Sequence, residues 1–455
     1  MDSRNSKYEA LFRDSSVWRS IFSLALPSLL TIVVMIFYNM ADLFFIAQLR
    51  DTAKVAAVSI VMPVFSIIMA LATMIGAGGS AVLANAIGAG DTEKAKNTSS
   101  LCFWAAIIIG VIVSVLLLGF QVPLLHILGT KPEMWEDAKR YQSVLALGTA
   151  FMLLSSAMGM LIRSEGAVKE GLIGNLAGTF TNILLDPLFI LVFRWGTTGA
   201  AVATVLGNMV SSGYYLFYTL RRAAVISIDP KRAIAAPGEL LPIAALGLPN
   251  AASTVLSGFA STFSNNLLSQ HGTDAIAARA AAGKSSMLIS MVQMGICMGV
   301  QPLLAYCFGA KNLPRLRETL RKLTLLTAGI GLAAVTFCFV FRHFLISLFL
   351  KEAAVAAMGE QFMLYTMAGA PFLGVVYLCT NFLQSTKKAR SAIVVSLLRQ
   401  GLLLIPLLYG MHALFGFLGI AAAHMAADMG AALIAALIAA LIFVREYRRV
   451  KEELL

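Results

Sequence analysis

From Ser20 to Ala47 the sequence carries only one charged side chain, and about a dozen stretches along the chain are comparably apolar. A bilayer core about 30 Å thick takes roughly 20 apolar residues of helix, so each stretch is long enough to cross it. The spans read as 20–46, 54–77, 98–120, 140–161, 169–192, 197–220, 240–267, 276–299, 320–341, 358–380, 391–411 and 416–443. The fold class that follows is an all-α polytopic membrane protein of twelve transmembrane helices. Composition agrees: 59% of residues are hydrophobic, 13% are charged and the mean hydropathy is +0.82, outside the range of soluble domains. The first run exceeds a signal-peptide core and no small-residue cleavage pattern follows it, so it reads as a retained helix. Five cysteines without CxxC or Cys/His spacing read as packing residues, not as disulfides or metal ligands.

A net charge of +12 would suit a nucleic-acid partner, but its placement argues otherwise. With the N-terminus inside, inner segments hold 24 Lys and Arg and outer loops ten, with Arg399 inside a helix. That asymmetry follows the positive-inside rule and predicts that both termini are cytoplasmic.

The chain is written twice. ALPS (25–28) aligns with GLPN (247–250), IGAGDTEKAKNT (87–98) with FGAKNLPRLRET (308–319), and GTTGAAVATVLGN (196–208) with GFLGIAAAHMAAD (416–428). The expected organisation is an N-terminal lobe (1–222), a cytoplasmic linker (223–238) and a C-terminal lobe (239–455). Six spans per half give both repeats the same orientation, so a pseudo-twofold axis along the membrane normal and a central cleft are expected, as in rocking, alternating-access transporters.

Five elements in order carry a family resemblance: the ALPS start, FYNMADLFFIAQL (37–49), the IGAGDTEKAK loop, RSEG (163–166) and NILLDPLF (182–189). Together, over essentially the whole chain, the sequence resembles the MATE (multidrug and toxin extrusion) family, nearest its MepA-like bacterial branch. The resemblance implies a bacterial inner-membrane antiporter that exports cationic or amphipathic organic compounds against inward H⁺ or Na⁺.

Ionisable groups inside a membrane are costly and need a reason to be there. The candidates are Asp42, Asp186, Arg399, His424 and Asp428. Asp42 lies eight residues before Arg50 and Asp186 eight before Arg194, which sets both acids about 12 Å below the outer basic residues. Thr204, on the helix returning inward, reaches nearly the same depth. Tyr38 and Asn39 share a face with Asp42, Asn182 with Asp186, and Asn208 with Thr204. A polar layer across three helices of the first lobe is therefore expected. Such acids would hold a proton or cation when dry and release it when wetted. Their oxygens, with those of Asn182 and Thr204, also form a hard donor set suited to Na⁺. The family resemblance implies that Asp42, Asp186, Asn182 and Thr204 are the coupling site. Pro187 withdraws a helix hydrogen bond beside Asp186 and predicts a bend there.

In the second lobe, Arg399 lies thirteen residues before His412 and Asp428 twelve after Gly416, on adjacent antiparallel helices. Equal depth predicts an Arg399–Asp428 ion pair with His424 as neighbour. A stripe of Met287, Met291, Met294 and Met298 suits a surface that moulds to varied ligands, and also suits plain packing. Tyr38 and Tyr141 are further candidates for lining the substrate path.

No HExxH, GxSxG or P-loop is present, so neither catalysis nor an organic cofactor is expected, only a coupling ion, H⁺ or Na⁺. The expected partners are small organic cations, amphipathic drugs and the lipid bilayer, with the protein a monomer. Two rivals stand. A lipid-linked saccharide flippase of the same superfamily would need a cationic cleft, whereas a non-transporting scaffold would need no level pair of acids.

Overall fold

The computed structural model describes residues 12–13, 15–47, 52–347, 349–350 and 352–453. Side chains at 36–44, including Tyr38, Asn39 and Asp42, lie outside the described residues. The described chain is helical nearly throughout: α1 (Val17–Ala47), α2 (Thr52–Gly88), α3 (Thr92–Gly119), α4 (Trp135–Ser164), α5 (Val168–Pro187), α6 (Gly196–Arg221), α7 (Leu240–Ser269), α8 (Thr273–Gly309), α9 (Leu313–Val340), α10 (Ala353–Ala368), α11 (Ala370–Ser385), α12 (Ala389–Leu397) and α13 (Leu404–Glu453). A helix satisfies the backbone in hydrocarbon, because it pairs every interior N–H and C=O within itself.

Among the described residues nine helical stretches are long and apolar enough to cross a membrane by themselves. The pair α10 and α11, bent by 42° at Gly369, forms a further broken span. The stretch 389–450 holds 62 residues, far more than one crossing needs, and Gly416 breaks it with φ 57° and ψ −133°. Helix α6, at 26 residues, is also long enough. Counted this way, the chain is a multi-pass membrane protein with twelve crossings.

The internal repeat is written in backbone angles as well as letters. Left-handed residues recur at Gly90 and Lys311, at Gly166 and Lys387, and at Gly196 and Gly416. Asp91 and Asn312, which follow the first of these pairs, each cap a helix. Asp91 accepts from the Lys94 amide at 2.9 Å and Asn312 from the Arg315 amide at 3.1 Å. Capping satisfies one of the amides that every helix start leaves without a partner.

Two compact units emerge from the packing: Pro27–Gly247, and Ser16–Leu26 together with Leu248–Leu455. The divisions fall at the prolines of ALPS and GLPN, so the opening turns of α1 and α7 each pack with the opposite half of the sequence. In the first unit, a Cβ at Gly247 would overlap the Met74 carbonyl oxygen, and one at Gly78 would overlap that of Ile243. Glycine permits this backbone contact between α2 and α7. In the second unit, Arg315 Nη2 donates to Ser20 Oγ at 3.0 Å, and Lys322 Nζ lies 5.5 Å from the Trp18 ring centre.

The segment joining the halves is strapped to the first unit. Ser100 Oγ donates to the Asp229 carbonyl at 2.5 Å, Trp104 Nε1 to that of Ile228 at 3.0 Å, and Lys94 pairs with Glu239 at 2.7 Å. Glu165 Oε1 accepts from the amides of Ala224 and Val225. Glu165 is 3% exposed, and burial pushes its carboxyl up to about 7 despite those amides, with Glu170 adding a smaller push.

Candidate functional site

The first-unit site is built where α5 and α6 touch through glycine. A Cβ at Gly207 would lie 2.7 Å from the Gly178 carbonyl oxygen and 3.2 Å from Asn182 Cβ. That close approach lets Asn182 Nδ2 donate to Thr204 Oγ1 at 3.3 Å. One turn on, Asn208 Nδ2 donates to the Thr204 carbonyl at 2.8 Å, and Ser155 Oγ of α4 donates to Asn208 Oδ1 at 2.6 Å. Three helices thus share one polar layer. Asp186 follows Asn182 by a turn on the same face and is fully buried; Asn182 and Thr204 are 3% and 7% exposed.

Pro187 ends the regular hydrogen bonding directly after Asp186. A π-helical turn takes over at Leu188–Val192, with the Phe193 amide reaching back to the Leu188 carbonyl at 2.8 Å. Such turns widen the helix and concentrate at functional sites. Asn182 donates to Thr204 through Nδ2, and among the described residues its buried carbonyl Oδ1 has no hydrogen-bond partner. With the Asp186 carboxyl one turn away, the donor set is one that a hard monovalent cation or a proton could use. Asp42, Asn39 and Tyr38 belong to α1, and their side chains lie outside the described residues.

The second unit places another polar group within its helices. Arg399 Nε donates to Asp428 Oδ1 at 2.6 Å, with the two side chains 19% and 13% exposed. The Arg399 guanidinium also lies 5.8 Å from the Tyr377 ring centre. Arg399 sits inside a second π-helical turn, Leu398–Leu403, so the fifth span of each half carries an irregular turn beside its ionisable residue. His424 Nε2 lies 3.3 Å from Ser264 Oγ.

Arg279 and Lys284 both lie inside α8. Arg279 Nη1 donates to Asn265 Oδ1 at 2.7 Å, and Lys284 Nζ stands 5.9 Å from the Phe349 ring centre. Their position within the apolar run 276–299 was the available signal. Of the methionine stripe, Met287 is 48% exposed while Met291, Met294 and Met298 are half-buried; Tyr141 is buried in α4. Among the described residues no three His, Cys, Asp or Glu side chains cluster as metal ligands would.

The MatE family model matches residues 27–188 and 229–409, most of the sequence. The chain belongs to the MATE family. Curated MATE relatives include the multidrug export protein MepA of Staphylococcus aureus strain NCTC 8325, 30% identical over 409 residues and 90% of each chain. MepA of Staphylococcus saprophyticus is 29% identical over the same share. The MATE fold is shared with an outward-facing multidrug resistance transporter of the MOP superfamily, at TM-score 0.92, 24% identity, and 97% and 99% coverage of the two chains. A MATE crystallised in complex with MaL6 superposes at TM-score 0.92 with 23% identity and the same coverage.

Proposed function

We propose that the protein is a secondary active exporter of cationic and amphipathic organic compounds, working by alternating access and driven by inward H⁺ or Na⁺. Membership of the MATE family and the MepA relatives, named for multidrug export, support the transporter class. The observation that carries the coupling reading is Asp186, fully buried beside the Asn182–Thr204 hydrogen bond and followed at once by Pro187 and a π turn. In the proposed cycle the buried carboxyl carries a proton or cation and releases it when wetted, and the irregular turn lets the helix change shape as it does so. Asp42 is the second acid of this site in the proposed mechanism, with Asn182 and Thr204 supplying neutral oxygens to either ion.

The lobes are taken as 1–222 and 239–455 with the linker 223–238 between them. The protein is placed in the bacterial inner membrane with both termini cytoplasmic, as a monomer without an enzymatic step. Drug efflux in inverted vesicles tests the coupling. Asp186→Asn and Asp42→Asn should each abolish gradient-driven export while leaving the protein folded, and normal export by both variants would refute the proposal. Clamping the Na⁺ and proton gradients separately identifies the driving ion.

A further inference from the structure

Arg279 is a charge whose hydrogen-bond partners among the described residues are neutral. Six residues past the start of α8 at Thr273, it lies about 9 Å along the helix axis. Its guanidinium makes two contacts, Nη1 to Asn265 Oδ1 at 2.7 Å and Nη2 to Ser261 Oγ at 3.4 Å, both on α7. Asp428 of this unit is engaged by Arg399. His424 Nε2 lies 3.3 Å from Ser264 Oγ, on the same helix α7 that carries Ser261 and Asn265, and its ring feels the charges of Arg279 and Arg399.

The face of α7 beside Arg279 is polar where a lipid-facing helix would be apolar. Thr254, Ser257, Thr262 and Asn265 are exposed, with Ser261 half-buried among them. Polar side chains at membrane depth line water-filled space or a protein interior. Arginine carries five donors in a planar fork, of which two are engaged, and its geometry matches a carboxylate or phosphate. We propose that Arg279, with Ser261, Asn265 and His424 around it, is an anion subsite that takes the carboxylate of zwitterionic or anionic substrates. This rests on the exporter reading and extends its substrates beyond cations. The same chemistry would accept the phosphate of a lipid headgroup, which the test separates.

Rhodamine 110 carries a free carboxylate and rhodamine 123 is its methyl ester, so the pair isolates the anion. Binding of each to the full chain is measured by fluorescence anisotropy in phosphatidylcholine nanodiscs, for wild type, Arg279→Gln and Arg279→Lys. A charge-assisted contact predicts a wild-type preference for the acid of roughly tenfold or more. In Arg279→Gln the preference should vanish through weaker binding of rhodamine 110, with rhodamine 123 affinity unchanged, and Arg279→Lys should keep part of it. A wild type without preference, or an Arg279→Gln that retains it, overturns the proposal. If Arg279→Gln binds neither dye, Arg279→Lys decides, since it keeps the charge and must still prefer the acid. Phosphatidylglycerol retention that depends on Arg279, with no acid–ester preference, assigns the anion to a headgroup and also overturns it. No gradient is present in a nanodisc, so a failure of ion coupling would leave this result untouched.

Discussion

Removing either member of the Arg399–Asp428 pair should destabilise the protein, and removing both should restore much of the loss. The side chains are 19% and 13% exposed and meet at 2.6 Å, so neither charge has ready access to solvent when its partner is gone. Breaking a buried pair typically costs about 3–5 kcal/mol, whereas replacing both members by apolar groups is close to neutral. Arg399→Ala or Asp428→Ala should therefore each cost about 3 kcal/mol, a change of roughly a hundredfold in the folded-to-unfolded ratio. The double variant should lose far less than the sum of the two. Arg399→Met with Asp428→Leu, which keeps the volume, should approach wild type. Reversible unfolding in mixed micelles titrated with sodium dodecyl sulfate, followed by circular dichroism, gives the four corners of the cycle. Additive losses would refute the pairing argument. A stable double variant that no longer exports would show that the pair also serves transport.

Gly247→Ala should lower stability, because its Cβ would overlap the Met74 carbonyl oxygen, while Gly258→Ala, with nothing within 4 Å, should be neutral or slightly stabilising. Overpacking of this kind costs about 1–3 kcal/mol, readable as a lower unfolding midpoint for the first variant alone. Glu165 should make stability fall with rising pH. Its carboxyl keeps a proton up to about 7 when folded but releases it at about 4.5 when unfolded, so the contribution is full below 4.5 and lost by about 7, roughly 3 kcal/mol in all. Glu165→Gln should flatten that slope between about pH 4.5 and pH 7, and an unchanged slope would count against it.

Membrane class, the doubled chain and the Arg399–Asp428 pairing were legible because each rests on a simple periodicity. Rise per residue put Arg399 level with Asp428, and a 2.6 Å hydrogen bond joins them. Asn182 and Thr204 met the same way, on antiparallel helices. The π turns beside Asp186 and Arg399 were not legible, since a single extra residue in a helix leaves no mark on an apolar run. Nor was the division of α1 and α7 between units, because packing partners are not written in a hydropathy pattern. Glu165 stood inside a family motif without a role. Its repeat counterpart is Thr386, and the meaning of the acid lay in its long-range contact with the linker.

The exchange of helix starts bears on how the protein is made. Ser20 emerges early, yet its hydrogen-bond partner Arg315 lies 295 residues further along. At 5–20 residues per second, roughly 15–60 s separate the two on the ribosome. During that interval the opening turns of α1 sit in the bilayer without the helix they were shaped to meet. A chain stalled after its first six spans would be left with that end unmatched, a surface by which quality-control machinery could tell half a transporter from a finished one.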